Sequence, residues 1–223
     1  MKRVTCLVLA LFATVAHGQS FGTYIGRVVA SWDANGRTMT LTEQFSYIDP
    51  TGVRWDAPAG STVDGASIPQ IAWSIIGGPF EGKYRDSSVI HDVACIEKRR
   101  SWETVHKAFH TGMLASGVDQ TRAKVMYAAV YHFGPRWPTK AEVRYTASQS
   151  KEEQVCVQVL GGAPPVCITI PRATGPGEGV LRIELPSPPQ TLSKEAFNRL
   201  SSQIEARETS LSPMSLEEIQ VFQ

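Results

Sequence analysis

The side chains best suited to acid–base or metal chemistry are His91, Asp92, His106, His110 and Asp64. His91 and Asp92 are adjacent. His106 and His110 are one helical turn apart, so their imidazoles can share a face. Asp64 sits upstream in Val63-Asp64-Gly65-Ala66-Ser67, a turn-forming stretch. A histidine held at one ring nitrogen can take a proton from water with the other. An adjacent carboxylate suits a hard cation such as calcium. His106 and His110 with His91 or Asp92 would instead suit zinc, whose bound water becomes the nucleophile. The run His106-Lys107-Ala108-Phe109-His110 lacks the glutamate of the metalloprotease helix, so that class is not indicated. A structural reading competes at each position. Asp64 can cap a helix or lock a corner, and two histidines at helical spacing can simply flank a core.

The elements that must position these groups follow from periodicity. Residues 21–57 read as an antiparallel sheet. Thr23 to Trp32 is strand-like, Asn35-Gly36 marks a hairpin turn, and Thr38, Thr40 and Thr42 alternate with Met39 and Leu41. Asp49-Pro50-Thr51-Gly52 suits a type I turn. Residues 68–134 read as helical. A short apolar helix runs from Ile68 to Ile76, and a second from Tyr84 to Lys98 with Val89, Val93 and Ile96 as its stripe. Ser101 caps a third, with Trp102, Val105, Phe109 and Met113 inward. Asp119 caps a fourth, with Met126, Ala129, Val130 and Phe133, stopped at Gly134-Pro135. A helical hairpin joining the second and third would bring His91 and Asp92 close to His106. His132, near a helix end, reads as structural.

Val155, Val157 and Val159 alternate with Cys156 and Gln158. After Gly161-Gly162-Ala163-Pro164, Val166, Ile168 and Ile170 alternate with Cys167 and Thr169. That is a β-hairpin pattern. Pairing Cys156 with Cys167 puts Val157 opposite Val166 and Val155 opposite Ile168, so a disulfide is expected there. Residues 172–192 are rich in proline and glycine and read as a linker with one short strand at Val180 to Leu185. In the tail, 193–223, Ser193 to Glu208 forms an amphipathic helix with Ala196, Phe197, Leu200 and Ile204 on one face. Ser215 and Glu218 suggest a capping box.

The first 18 residues read as a cleavable secretory signal. Lys2 and Arg3 precede an uncharged stretch from Thr5 to Ala16, and Ala16-His17-Gly18 offers small residues for cleavage before Gln19. The apolar run, about a dozen residues, is too short to span a bilayer. Export to the periplasm or medium fits a disulfide. Cys95 remains as a buried, unpaired thiol. A formal net charge of +1 gives no broad basic surface for nucleic acid. The whole is an α+β chain. A core spans 19–171, with an N-terminal antiparallel sheet, three to four helices carrying the His/Asp cluster, a disulfide-closed hairpin and a C-terminal helix.

An ordered motif string crosses residues 40–137. It comprises V-D-G-A-S-I-P at Val63 to Pro69, a tryptophan four residues on, G-x-Y at Gly82 to Tyr84, and H-D at His91-Asp92. It continues with K-A-F at Lys107 to Phe109, G-V at Gly117-Val118, and Y-A-A-V-x-x-F-G-x-x-W from Tyr127 to Trp137. This string resembles a phage- and prophage-associated bacterial family of unassigned function. Its layout is also similar to secreted phospholipases that cleave the sn-2 ester. That similarity implies His91 as general base and Asp92 as calcium ligand. The orienting aspartate of those enzymes falls at His106, and the tyrosine of their helix falls at Cys95; a histidine at the first position suits zinc better. Two functions are therefore expected to compete. One is an exported hydrolase using His91, Asp92 and His106, with Asp64 and His110 as further metal ligands, on a lipid or envelope ester at the membrane surface. The other is a non-enzymatic, prophage-derived envelope or phage-structural module whose His/Asp cluster is structural.

Overall fold

Short strands and turns build the N-terminal third because β-branched and aromatic residues alternate there with polar ones. The computed structural model describes residues 20–65, 82–146, 153–157, 165–170, 178–186 and 192–222. The expected signal segment, the expected helix from Ile68 to Ile76 and the expected hairpin turn at 161–164 lie outside the described residues.

Among the described residues six strands precede the helices: β1 (Thr23–Ile25), β2 (Ala30–Trp32), β3 (Met39–Leu41), β4 (Phe45–Ile48), β5 (Arg54–Ala57) and β6 (Thr62–Val63). The single sheet expected from the sequence is in fact two three-stranded antiparallel sheets, ordered β1-β4-β5 and β2-β3-β6. The continuous strand expected from Thr23 to Trp32 breaks at Gly26, whose φ of 80° lets the chain leave one sheet for the other. Both turns form where their residue types place them. Gly36 donates to the Asp33 carbonyl at 2.9 Å, and Gly52 donates to the Asp49 carbonyl at 2.9 Å. Asp49 also accepts from the indole of Trp55 at 3.0 Å, tying the turn to β5.

A 3-10 turn (Gly82–Tyr84) leads into α1 (Arg85–Glu97), followed by α2 (Trp102–Ala115) and α3 (Gln120–Phe133). Ser101 and Asp119 cap α2 and α3, accepting from Thr104 and Arg122 backbone N–H groups at 3.4 and 3.2 Å. α1 packs on α2, α2 on α3, and α1 also lies against β5 and β6. Tyr24 of β1 donates to the Gly112 carbonyl at 2.9 Å, and Tyr47 of β4 to Thr111 Oγ1 at 2.9 Å, so the first sheet is bonded to α2. Val89 and Val93 are buried as expected, but Ile96 is 69% exposed. The buried face of α1 runs through Tyr84, Ser88, His91, Asp92 and Cys95, and Ile96 lies one residue, about 100°, further round the helix.

Beyond α3 comes β7 (Thr139–Thr146), a strand the sequence reading did not anticipate. It pairs antiparallel over eight residues with β10 (Glu178–Leu185), where the linker was expected to hold only a shorter strand. Between them β8 (Glu153–Val157) and β9 (Val166–Ile170) form the hairpin. Its register is the expected one: Val155 opposite Ile168, Cys156 opposite Cys167, Val157 opposite Val166. Cys156 and Cys167 are disulfide-bonded across a Cα separation of 4.0 Å.

The chain ends in α4 (Lys194–Glu208), capped by Ser193, and α5 (Leu216–Gln220), whose Ser215 and Glu218 form a capping box. Both pack on α3. Ala196, Phe197, Leu200 and Ile204 join the core. The ion pair Lys124–Glu208 at 2.7 Å, the bond from Gln220 to Tyr127 Oη at 2.7 Å and the contact of His132 Nε2 with the Ile219 carbonyl at 2.8 Å secure the tail. Among the described residues, no helix is long and apolar enough to cross a membrane.

Candidate functional site: a buried histidine pair

Helix packing brings two of the expected residues together, His91 and His106. α1 and α2 form a hairpin, and His91 Nε2 meets His106 Nδ1 at 2.8 Å. His91 is 1% exposed and His106 is 0% exposed, so the pair is sealed inside the protein. Around it lie Phe109, with its ring centroid 4.7 Å from that of His91, and Trp102, edge-on to His106 at 5.5 Å. Cys95 Sγ is 3.7 Å from His91 Nε2 and 3.9 Å from Nδ1.

Burial sets the protonation state. It pushes His91 down to about 3. It also holds His106 well below the ordinary histidine value, with His91 and Arg136 adding to the effect and the Pro135 backbone opposing it. Both rings are therefore neutral near pH 7 and share one hydrogen bond. One imidazole donates to the other across this contact. His106 Nε2 has no hydrogen-bond partner among the described residues. The Cys95 thiol packs beside the His91 ring, nearer Nε2 than Nδ1.

Asp92 is 2% exposed, and its Oδ2 accepts the backbone N–H of Gly65 at 2.7 Å. The carboxylate thus clasps the turn that follows β6 to the middle of α1. Gly65 has φ +64°, a conformation that glycine adopts without steric cost. Asp64, its neighbour, is exposed. His110 lies one turn beyond His106, buried edge-on to Tyr127 at 5.6 Å. Burial and the nearby charge of Lys124 push it down to about 4. His132 is buried and spent on the Ile219 carbonyl.

The structure therefore brings His91, His106 and Cys95 into one cluster. Asp92 is turned to Gly65, His110 to Tyr127, and Asp64 is on the surface. Among the described residues, no group of three or more His, Cys, Asp or Glu side chains could hold a metal ion. The donor set does not fit a calcium or zinc shell, because one oxygen of Asp92 and the mutually facing nitrogens of the histidine pair already have protein partners. Sequence reading missed Cys95 as a partner of His91. Its i, i+4 spacing from His91 was the signal.

The motif string also has a packing account. Tyr127, Ala128, Ala129 and Val130 are fully buried in α3. A Cβ at Gly134 would fall 2.3 Å from the Val130 carbonyl oxygen, so only glycine closes that helix end. Trp137 donates its indole N–H to the Arg100 carbonyl at 2.9 Å, pinning the α1–α2 loop.

Residues 39–130 match the family model described as protein of unknown function (DUF1353), so a DUF1353 domain is present. The chain is 44% identical over 147 residues to the uncharacterized protein y4jT of Sinorhizobium fredii, covering 64% of this chain and 44% of that protein. It is 42% identical over 97 residues to the uncharacterized protein y4iH of the same organism, covering 44% of this chain and 41% of that one. The chain thus spans less than half the length of these curated relatives. No solved structure matches.

Proposed function

We propose that this chain, with a domain of unassigned function at its centre, is an exported binding module of phage or prophage origin whose His/Asp cluster is part of the fold. The observation that carries this reading is closure: His91 and His106 face each other at 2.8 Å with no exposed edge. A general base must reach the proton it removes, directly or through one water. Here His91 Nε2 is engaged with His106, the ring is enclosed, and burial makes it a very weak base. Asp92 spends one oxygen on the turn at Gly65. Export is supported by the signal-like first 18 residues and by the disulfide, which forms readily in oxidising compartments. The test is His91→Ala in the purified chain, with melting and ester hydrolysis measured together on mixed phospholipid vesicles and p-nitrophenyl esters. The module reading expects lowered stability and no wild-type turnover to lose. Wild-type turnover abolished by His91→Ala at unchanged melting would reject it.

One observation favours a second reading, the hydrolase. The His91–His106 bond has the form of a base held by an orienting group, and His106 stands where the resemblance places the orienting aspartate. In that reading a lipid or envelope ester reaches His91 only after the α1–α2 hairpin opens. The same experiment separates the two.

A further inference from the structure

Outside the histidine pair, a cleft of about 290 Å³ opens between β5 and the α1–α2 corner. Its floor is apolar: Ile90, Val105 and Trp55 are buried, and Ala94 is half-buried. Ile90 and Val105 are the chain neighbours of His91 and His106, yet neither imidazole is part of the lining.

The rim carries charge in an unequal arrangement. On the β5 side Arg54 pairs with Asp56 at 2.7 Å, and Asp56 also accepts from Ser46 Oγ at 2.6 Å. On the α1 side Arg99 pairs with Glu97 at 3.0 Å. Each carboxylate of the cleft is thus already matched by one guanidinium. Arg100 is the third. It has no carboxylate partner among the described residues, and its guanidinium carbon lies 5.0 Å over the Trp55 ring. An arginine laid on an aromatic face is oriented while its N–H edge stays available, which is the arrangement that receives a planar anion through two parallel hydrogen bonds. The backbone holds it there. Lys98, with φ 52°, is the one non-glycine residue in the left-handed region among the described residues. It turns the chain sharply at the end of α1, and the Arg100 carbonyl is fixed by Trp137.

We propose that this cleft binds a small oxyanion, a carboxylate or phosphate carried on an apolar or aromatic body, with Arg100 as the anion's partner. The body rests on Ile90, Ala94 and Val105, and the anion meets Arg100 at the rim. The volume is near the lower end of small-molecule sites, so the ligand or the part of it recognised is about the size of one aromatic acid. This gives the binding module a ligand class but rests on the cleft's own residues. It stands or falls separately from the histidine cluster.

The test is titration of the full mature chain at pH 7, followed by two-dimensional amide NMR. The probes are benzoate, phenyl phosphate, benzyl alcohol and benzylamine. Saturable shifts confined to residues 54–56 and 90–105 are expected with benzoate or phenyl phosphate, and the stronger of the two identifies the anion. Affinity should fall about tenfold in Arg100→Gln, the loss of one charge-assisted contact pair, and fall less in Arg100→Lys. Affinity should also weaken with added salt. Arg100 is exposed, so both variants should melt like the wild type, and either one alone suffices as the readout. The proposal is overturned if neither anion saturates, if benzyl alcohol or benzylamine binds as well as the stronger of the two anions, or if both folded variants bind that anion like the wild type.

Discussion

Gly65 donates its backbone N–H to Asp92 Oδ2 at 2.7 Å across 27 residues of sequence, joining the turn after β6 to the centre of α1. Asp92→Ala would leave that buried donor unsatisfied, at a cost of about 1–3 kcal/mol. Asp92→Asn keeps an acceptor and should cost less. Gly65→Ala forces a side chain onto a φ of +64° and should cost about 1–2 kcal/mol by itself. Urea denaturation of the three variants measures this. Equal stability of Asp92→Ala and wild type would remove the structural role assigned to the carboxylate.

The buried histidines make stability depend on pH. Unfolded, each takes up a proton near 6.5; folded, His91 does so only at about 3 and His110 at about 4. The unfolded state therefore binds more protons across that window. Stability should be greatest above pH 6.5 and fall as pH drops from 6.5 toward 3, with no further loss from these groups below. Urea midpoints from pH 8 to pH 4 check the direction.

His110 offers a cleaner substitution. Its Nε2 has no hydrogen-bond partner among the described residues, and its ring packs on Tyr127. His110→Phe should hold or raise stability at pH 7, since an unmatched polar atom is replaced by carbon of similar shape. The same variant should show a shallower loss of stability between pH 6.5 and 4. A steeper loss would contradict the burial argument.

Lys124 and Glu208 form an almost buried ion pair between α3 and α4, with side chains 7% and 13% exposed. Lys124→Met alone strands a carboxylate and should cost about 3–5 kcal/mol. Adding Glu208→Leu should recover most of that, because the interface then becomes apolar. A thermal or urea double-mutant cycle gives the coupling.

The Cys156–Cys167 bridge should block both thiols from alkylation in non-reduced, denatured protein, leaving Cys95 as the one labelled site of the mature chain. After reduction all three should label. In the chain-entropy view, closing a loop with a sequence separation of 11 residues restrains the unfolded chain by about 3 kcal/mol. Mass spectrometry counts the labels. Comparing protein purified from the periplasm and from the cytosol tests whether export is what allows the bond.

The sequence by itself determined what depends on near neighbours. Caps at Ser101, Asp119, Ser193 and Ser215, the turns at Asn35-Gly36 and Asp49–Gly52, and the stripes of α2 and α4 all follow from side chains acting within one or two turns of themselves. The register of the disulfide hairpin was equally legible, because period-two alternation allows one alignment that matches the cysteines and keeps the valines together. The contact of His91 with His106 followed once two helices were joined by a short loop. Other features needed the folded chain. The division of the N-terminal strands into two sheets depends on pairings up to 25 residues apart, which alternation cannot choose between. β7 escaped notice because its partner β10 lies more than thirty residues away. Above all, His91 and Asp92 have the same spacing whether they face solvent or a core. Only the packing of β6, α1 and α2 put the imidazole against His106 and Phe109 and the carboxylate against Gly65. Access to water, and hence proton affinity and metal-binding capacity, is a property of that packing and of no local pattern in the chain.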